Sequence, residues 1–163
     1  MKKKLIYLVV AVVLLGLVTV LDRSLSHKVA QTTEQADATM EITKLVAEFG
    51  NHLKNVPTTA NPALIPPLVD QEYRPYITDA LYDRWMNDPM SVPGRATSSP
   101  WPDRMEVKDI KPAGDHYEVV ADVVEVTSVE AANGGAAVRS TVYLTVVQVD
   151  GVWKIAEYQT SME

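Results

Sequence analysis

The sequence predicts an α+β domain that one N-terminal transmembrane helix holds outside a membrane. Three observations predict it. The first is a run of seventeen residues without a charge, Leu5 to Leu21, behind three lysines. The second is an amphipathic helical stripe that begins at Ile42, and the third is a C-terminal third rich in β-branched and aromatic residues. Because the helices precede the strands, the fold class is α+β.

Residues 5–21 are predicted to be an uncleaved signal-anchor. Seventeen residues at ~1.5 Å rise make a helix of roughly 25 Å, near the ~30 Å of a hydrocarbon core. The lysines at 2–4 mark the cytoplasmic side, so the rest of the chain is expected to be extracytoplasmic. The alternative is a cleaved signal peptide. Its apolar core would be shorter than this one, and the nearest A-x-A, at 36–38, lies about fifteen residues beyond Leu21.

Composition limits what the exported part can do. The chain has no cysteine, which excludes a lipoprotein anchor, disulfides and zinc–thiolate sites. After Leu21 there are twenty-one acidic residues, against fifteen basic residues less three, or twelve, so this part carries a formal charge of −9. An acidic domain binds nucleic acid poorly because such binding relies on neutralising phosphates. We expect no nucleic-acid partner and no cofactor.

Three regions are expected along the chain. Residues 1–21 hold the cytoplasmic lysines and the anchor, residues 22–38 form a polar tether, and residues 39–163 form the extracytoplasmic domain. This domain opens with a helix whose apolar residues recur at helical period. They are Ile42, Leu45, Val46, Phe49 and Leu53.

Prolines dominate the next segment, since nine of the ten lie between Pro57 and Pro102. The earlier ones predict turns and short pieces after the first helix. A second helix is predicted over about 75–87, where Pro75 suits the first turn. A loop of about fifteen residues comes next and ends near Asp103. Loops of that length in compact domains tend to be functional or mobile.

The C-terminal part is predicted to form an antiparallel meander of four strands. The strands are predicted over 105–110, 117–129, 138–149 and 152–160. The turns between them lie at 112–115, 133–135 and 150–151, and the last is a two-residue turn that closes a tight hairpin. Strand alternation puts Trp153 and Ile155 on one face, where they can cover the first helix.

The order of helix, shorter helical pieces and closing meander resembles the nuclear transport factor 2-like superfamily, whose fold is a cone-shaped, cystatin-like α+β roll. The closing run Asp150-Gly151-Val152-Trp153-Lys154-Ile155 carries the resemblance, and residues 40–161 match the layout. Ketosteroid isomerase-like and polyketide cyclase-like members use an Asp or an Asp–His pair in the mouth of the cone. Non-enzymatic members include membrane-anchored assembly factors of type IV secretion and conjugation machines, and the architecture here looks like that group.

Few residues are candidates for chemistry. Asp122 interrupts an apolar strand, and in a dry cone its pKa would be raised, so that it could act as a general base. The alternative is a carboxylate that faces solvent or pairs with a cation such as Arg139. The three histidines, His27, His52 and His116, show no metal-ligand spacing, so no metal is expected.

Two further sets of residues are candidates for binding. Trp101, Tyr143 and Tyr158 could line a ligand pocket, with ordinary core packing as the alternative. In the long loop, Met90, Val92 and Trp101 could contact a partner protein. The alternative is a loop that folds back to cap the open end of the cone.

The expected function is a membrane-tethered extracytoplasmic interaction or assembly module without enzymatic activity. It would act in a bacterial secretion, conjugation or cell-envelope complex, as a single-pass protein of the cell membrane. The expected partners are the lipid bilayer, through residues 5–21, other envelope proteins, and a second copy across the Val-rich sheet face. The alternative function is a domain that binds a small apolar ligand, or an isomerase- or cyclase-like domain, using the cone cavity.

Overall fold

The computed structural model of the protein describes residues 33–59 and 61–161. The predicted anchor at 5–21 and the larger part of the predicted tether lie outside these residues. Of the helices inside the described ranges, none is long and apolar enough to cross a membrane. The chain falls into two compact units that divide between Met40 and Glu41, and the second unit contains the sheet.

Helices occupy the first half of this second unit. Residues 33–52 are helical throughout, and α1 here denotes the part from 41 to 52. Helix α2 is Ile65–Glu72 and helix α3 is Asp79–Asn87. Three short 3-10 segments, Leu53–Asn55, Pro62–Leu64 and Pro89–Ser91, lie between or beside them. The apolar stripe predicted for the first helix is buried.

The sequence predicted only turns and short pieces where α2 lies. Pro66 and Pro67 fall in the first turn of this helix, where a missing N–H breaks no intrahelical bond. The α3 boundary also differs from the prediction. Thr78 caps this helix by accepting a hydrogen bond from the Leu81 N–H (3.2 Å), so α3 begins at Asp79 rather than near Pro75.

The second half is a four-stranded antiparallel sheet in the order β1-β2-β3-β4, which confirms the α+β class and the meander. The strands are β1 Trp101–Ala113, β2 His116–Val126, β3 Val138–Val149 and β4 Val152–Thr160. The predicted extension of β2 to Val129 is wrong. Helix α4, Ser128–Asn133, begins there because Thr127 and Glu130 form a reciprocal capping box.

The core lies between the helices and one face of the sheet. Its centre is a group of aromatic rings from three helical segments and β4. The Phe49 ring centroid lies 4.9 Å from that of Tyr73 and 6.2 Å from that of Tyr158, and Tyr158 in turn packs against Trp85. Ile155 is fully buried in the same core, as the predicted strand alternation requires.

The proline-rich segment after α3 folds back onto the helical layer. Val92 is buried in the core, and the Tyr73 hydroxyl donates to the Pro93 carbonyl oxygen (2.8 Å). The Arg95 N–H donates to the Val56 carbonyl oxygen (2.8 Å). Val92 therefore fits the alternative in which this segment packs onto its own domain.

Candidate functional site

A groove of about 310 Å³ opens to solvent between α1, the segment that precedes α3, and the β3–β4 turn. Two of its walls are aromatic, Tyr76 and Trp153, and its rim carries charged side chains of α1. The groove is lined by Glu41, Lys44, Leu45, Glu48, Pro75, Tyr76, Gly151, Val152 and Trp153.

The Trp153 wall is held by the hairpin and by α1. Asp150 and Gly151 both have positive φ, at 51° and 80°, which closes the tight turn before β4. The Trp153 indole N–H donates to Glu41 Oε2 (2.9 Å). The indole and Tyr117 rings also pack in a T-shaped arrangement, with centroids 5.3 Å apart at 90°. The ring is thus fixed in orientation.

The Tyr76 wall is held by a chain of hydrogen bonds. His52 Nδ1 lies 2.8 Å from Glu72 Oε2, and His52 Nε2 lies 3.1 Å from the Tyr76 hydroxyl. A carboxylate can only accept, so in the neutral imidazole Nδ1 donates to Glu72 and Nε2 accepts from Tyr76. Asn55 Nδ2 also donates to Glu72 Oε2 (2.7 Å), and Gln71 donates to the other oxygen (2.8 Å). These contacts join the end of α1 to the end of α2.

The surroundings shift the pKa values of Glu72 and Tyr76 in opposite directions. Hydrogen bonds from His52 and then Asn55 lower the pKa of Glu72, which keeps its carboxylate ionised. Burial, followed by the charges of Glu48 and Glu72, raises the pKa of Tyr76. Tyr76 therefore presents a neutral hydroxyl.

The α1 rim is acidic on balance. Glu41 and Glu48 are two turns apart on one helix face, and Lys44 lies between them. Lys44 Nζ is 3.8 Å from Glu48 Oε1, and its side chain is 76% exposed. A long, exposed pair of this kind contributes little to stability.

Asp122 lies elsewhere, on the sheet face that points away from the helices. Its neighbours Ala121 and Val123 belong to the core, so Asp122 faces the other way. It is only 5% exposed because Lys108 Nζ and Thr141 Oγ1 each donate to it at 3.0 Å, and Arg139 Nη1 lies 3.8 Å away.

The hydrogen bond from Lys108 is the largest cause that lowers the pKa of Asp122. A general base at neutral pH would need the opposite shift. A β-bulge between Val107 and Asp109 brings Lys108 to this carboxylate. Asp122 is therefore paired with Lys108 and lies near Arg139, which agrees with the alternative of a carboxylate that pairs with a cation.

The three candidate pocket aromatics do not meet. Tyr143 pairs with Gln159 and its neighbour Leu144 pairs with Tyr158, so Tyr143 and Tyr158 lie on opposite faces of the sheet. Tyr158 packs in the core and lines a smaller groove, of about 170 Å³, and burial raises its pKa. Trp101 is partly buried at the start of β1 and lines neither groove.

The three residues predicted to contact a partner differ in their exposure. Met90 is 72% exposed, whereas Val92 is 4% exposed and belongs to the core. Met90 alone of the three predicted contact residues offers a largely exposed apolar side chain.

Sequence reasoning missed the group formed by His52, Glu72 and Tyr76. These residues are twenty and twenty-four positions apart, and no metal or catalytic motif has that spacing. The contact depends on how α1 meets the segment after α2. Over residues 33–59 and 61–161, no three His, Asp or Glu side chains are grouped so that they could hold a metal ion.

Comparisons of the chain with protein-family models, curated proteins and solved structures find no match. The function is therefore inferred from the geometry of the groove.

Proposed function

We propose that this domain is an extracytoplasmic protein-interaction module, held at a bacterial membrane by residues 5–21, that receives a partner protein in the groove between Tyr76 and Trp153. The observation that carries the proposal is an aromatic groove with an exposed apolar residue on its rim. That residue, Val152, is 55% exposed, and its strand partner Val149, beside the groove, is 43% exposed. Exposed apolar surface beside oriented aromatic rings is typical of protein contact sites.

The packing of the domain supports an exterior site over an internal one. The space between the helices and the sheet is occupied by the rings of Phe49, Tyr73, Trp85 and Tyr158. A groove open along one side fits side chains presented by another protein better than a small ligand, which usually needs most of its surface enclosed. The resemblance to membrane-anchored, non-enzymatic nuclear transport factor 2-like proteins supports the same proposal, with a secretion, conjugation or other envelope complex as its setting.

The experiment is site-specific photo-crosslinking of the full chain in the membrane of the cell that makes it. A photoreactive amino acid replaces Val152 in one variant and Val129 in a control. Val129 is 62% exposed but follows β2, at the opposite end of the sheet from the β3–β4 turn. We expect one defined protein to be joined at position 152 and not at 129.

The Trp153→Ala change in the position-152 variant should remove this adduct, because the indole forms one wall of the groove. A chain that gives no adduct at 152, or the same adduct at both positions, would contradict the proposal.

A second candidate, a small-ligand or isomerase- or cyclase-like domain, is favoured by one observation. Glu72, His52 and Tyr76 form an orienting carboxylate, an imidazole and a hydroxyl in sequence, and Tyr76 reaches the groove. Titration with a neutral apolar dye, 1-aminoanthracene, tests it. Saturable binding that is lost in Trp153→Ala would favour this candidate, and a linear, non-saturable signal would exclude an apolar ligand of that size.

A further inference from the structure

We infer that the groove receives an arginine side chain, flanked by apolar residues, from a segment of the partner protein. This inference rests on the proposed function and names the chemistry of the partner.

The aromatic walls are the first reason. Tyr76 and Trp153 line the same groove, and the indole of Trp153 is fixed by Glu41 and by the edge-on contact with Tyr117. The faces of Trp and Tyr rings attract cations, and a planar guanidinium stacks on such faces better than an ammonium does. Because the Trp153 indole is already held by these contacts, less ordering of that side chain is needed when a cation arrives.

The carboxylates on the rim are the second reason. Glu41 lines the groove and accepts the Trp153 indole N–H with Oε2, and a carboxylate has a second acceptor oxygen besides. Glu48 stands two turns further along α1 and lines the same groove as Tyr76. A guanidinium offers five N–H donors and pairs with carboxylates through two of them at once.

Charge complementarity is the third reason. Residues 41–161 contain seventeen acidic and ten basic residues, a formal charge of −7. Among the residues that the structure describes, Lys44 is the one basic residue that lines the groove, and its ion pair with Glu48 is long and exposed. An incoming cation can therefore displace Lys44 from Glu48 at little cost.

The remaining lining sets which residues flank the arginine. Leu45, Pro75 and Val152 border the same groove, and Val152 is largely exposed. Apolar residues on either side of the arginine would cover these three. A leucine–arginine–leucine segment satisfies both requirements.

The test uses the full chain in lipid nanodiscs and two synthetic peptides. One is acetyl-Gly-Leu-Arg-Leu-Gly-amide, and its twin replaces arginine by citrulline, which has the same shape without the charge. The ¹⁵N–¹H indole resonance of Trp153 reports binding, assigned with Trp153→Phe, while Trp85 and Trp101 act as internal references. We expect the arginine peptide to bind about fivefold tighter or more than its twin, with a preference that falls as salt is raised.

Three variants test the groove itself. Glu41→Gln and Glu48→Gln should each weaken binding of the arginine peptide more than binding of the citrulline peptide, because only the guanidinium loses an ion pair. Lys44→Gln should strengthen arginine binding about twofold because it removes a competing cation. Glu118→Gln, an exposed carboxylate on β2, is the matched control and should change neither affinity.

Equal affinities for the two peptides, or weaker arginine binding in Lys44→Gln, would overturn the inference. If crosslinking at position 152 succeeds while the peptides bind equally, the groove still binds a partner protein, but the inference that it receives an arginine is wrong. If crosslinking fails and the peptides bind equally, both proposals fail.

Discussion

At the scale of single residues, Glu72 organises the wall behind Tyr76. Its two oxygens accept hydrogen bonds from His52, Asn55 and Gln71, and its side chain is only 12% exposed. One acceptor group thus connects α1, the 3-10 turn that follows it, and α2.

Glu72→Gln should lower the free energy of unfolding by about 1–3 kcal/mol, because an amide has one acceptor oxygen and its NH₂ group would face donors. Urea denaturation measures the change. Asp70→Asn, which alters an exposed carboxylate of the same helix, is the control and should stay within about 0.5 kcal/mol of the unaltered chain.

The same carboxylate predicts a pH dependence. Its pKa is lower in the folded chain than in the unfolded one, so its stabilising contribution is fully present above about pH 4.3, the ordinary pKa of Glu. The contribution is lost as the pH falls through the lowered value. The stability difference between the unaltered chain and Glu72→Gln should therefore shrink below about pH 4.3 in urea titrations. A difference that grows on acidification would contradict this assignment.

Asp122 gives a second residue-scale prediction. Asp122→Asn should destabilise the domain by about 1–3 kcal/mol, because the buried carboxylate satisfies Lys108 and Thr141. Glu118→Gln lies on the same face of the same strand and is exposed, so it should change stability little. Equal effects of the two changes in thermal or urea unfolding would show that burial of Asp122 is unimportant.

At the scale of secondary structure, Gly50 controls how α1 approaches the sheet. A Cβ at this position would lie 2.5 Å from the Met105 backbone nitrogen and 2.7 Å from its Cβ. The helix can pack against β1 only because residue 50 has no side chain. An alanine would improve helix propensity by ~1 kcal/mol but would collide with backbone.

Gly50→Ala should accordingly lower the free energy of unfolding by about 1–3 kcal/mol, as overpacking does. Gly135→Ala is the matched control, since its nearest neighbour is Glu130 Cγ at 3.5 Å. Chemical denaturation of both variants shows which effect is larger at Gly50, the gain in helix propensity or the collision with Met105. A stabilised Gly50→Ala chain would show that the helix has room to move away.

The elements also show what sequence patterns can and cannot establish. The alternation in β3 and β4 and the Asp-Gly turn predict those strands and their connection correctly, because such signals are local. The capping signature Thr127-Ser128-Val129-Glu130 is present in the sequence, but the run of β-branched residues before it favours a strand prediction across it. The prolines of α2 predict a break in the helix, although proline is compatible with a first turn.

At the scale of the whole domain, the site could not be predicted in the same way. Glu41 and Trp153 are 112 residues apart, and His52 and Glu72 are twenty apart. These contacts exist because the helical layer packs on one face of the sheet. The hydrophobic periodicity of a helix or a strand predicts that element, but it does not predict which residues of two distant elements will meet. For Asp122, the sequence predicts the position on β2 but not the ion pair. The contact with Lys108 depends on a β-bulge in β1, which the sequence does not predict.

The central claim is that the groove between Tyr76 and Trp153 receives an arginine of another protein. The most direct measurement is mass spectrometry of the peptide that becomes joined to a photoreactive residue at position 152 of the full, membrane-bound chain. We predict one recurring partner peptide that contains an arginine beside apolar residues and disappears in Trp153→Ala. A recurring peptide without a basic residue, or no adduct at all, would contradict the claim.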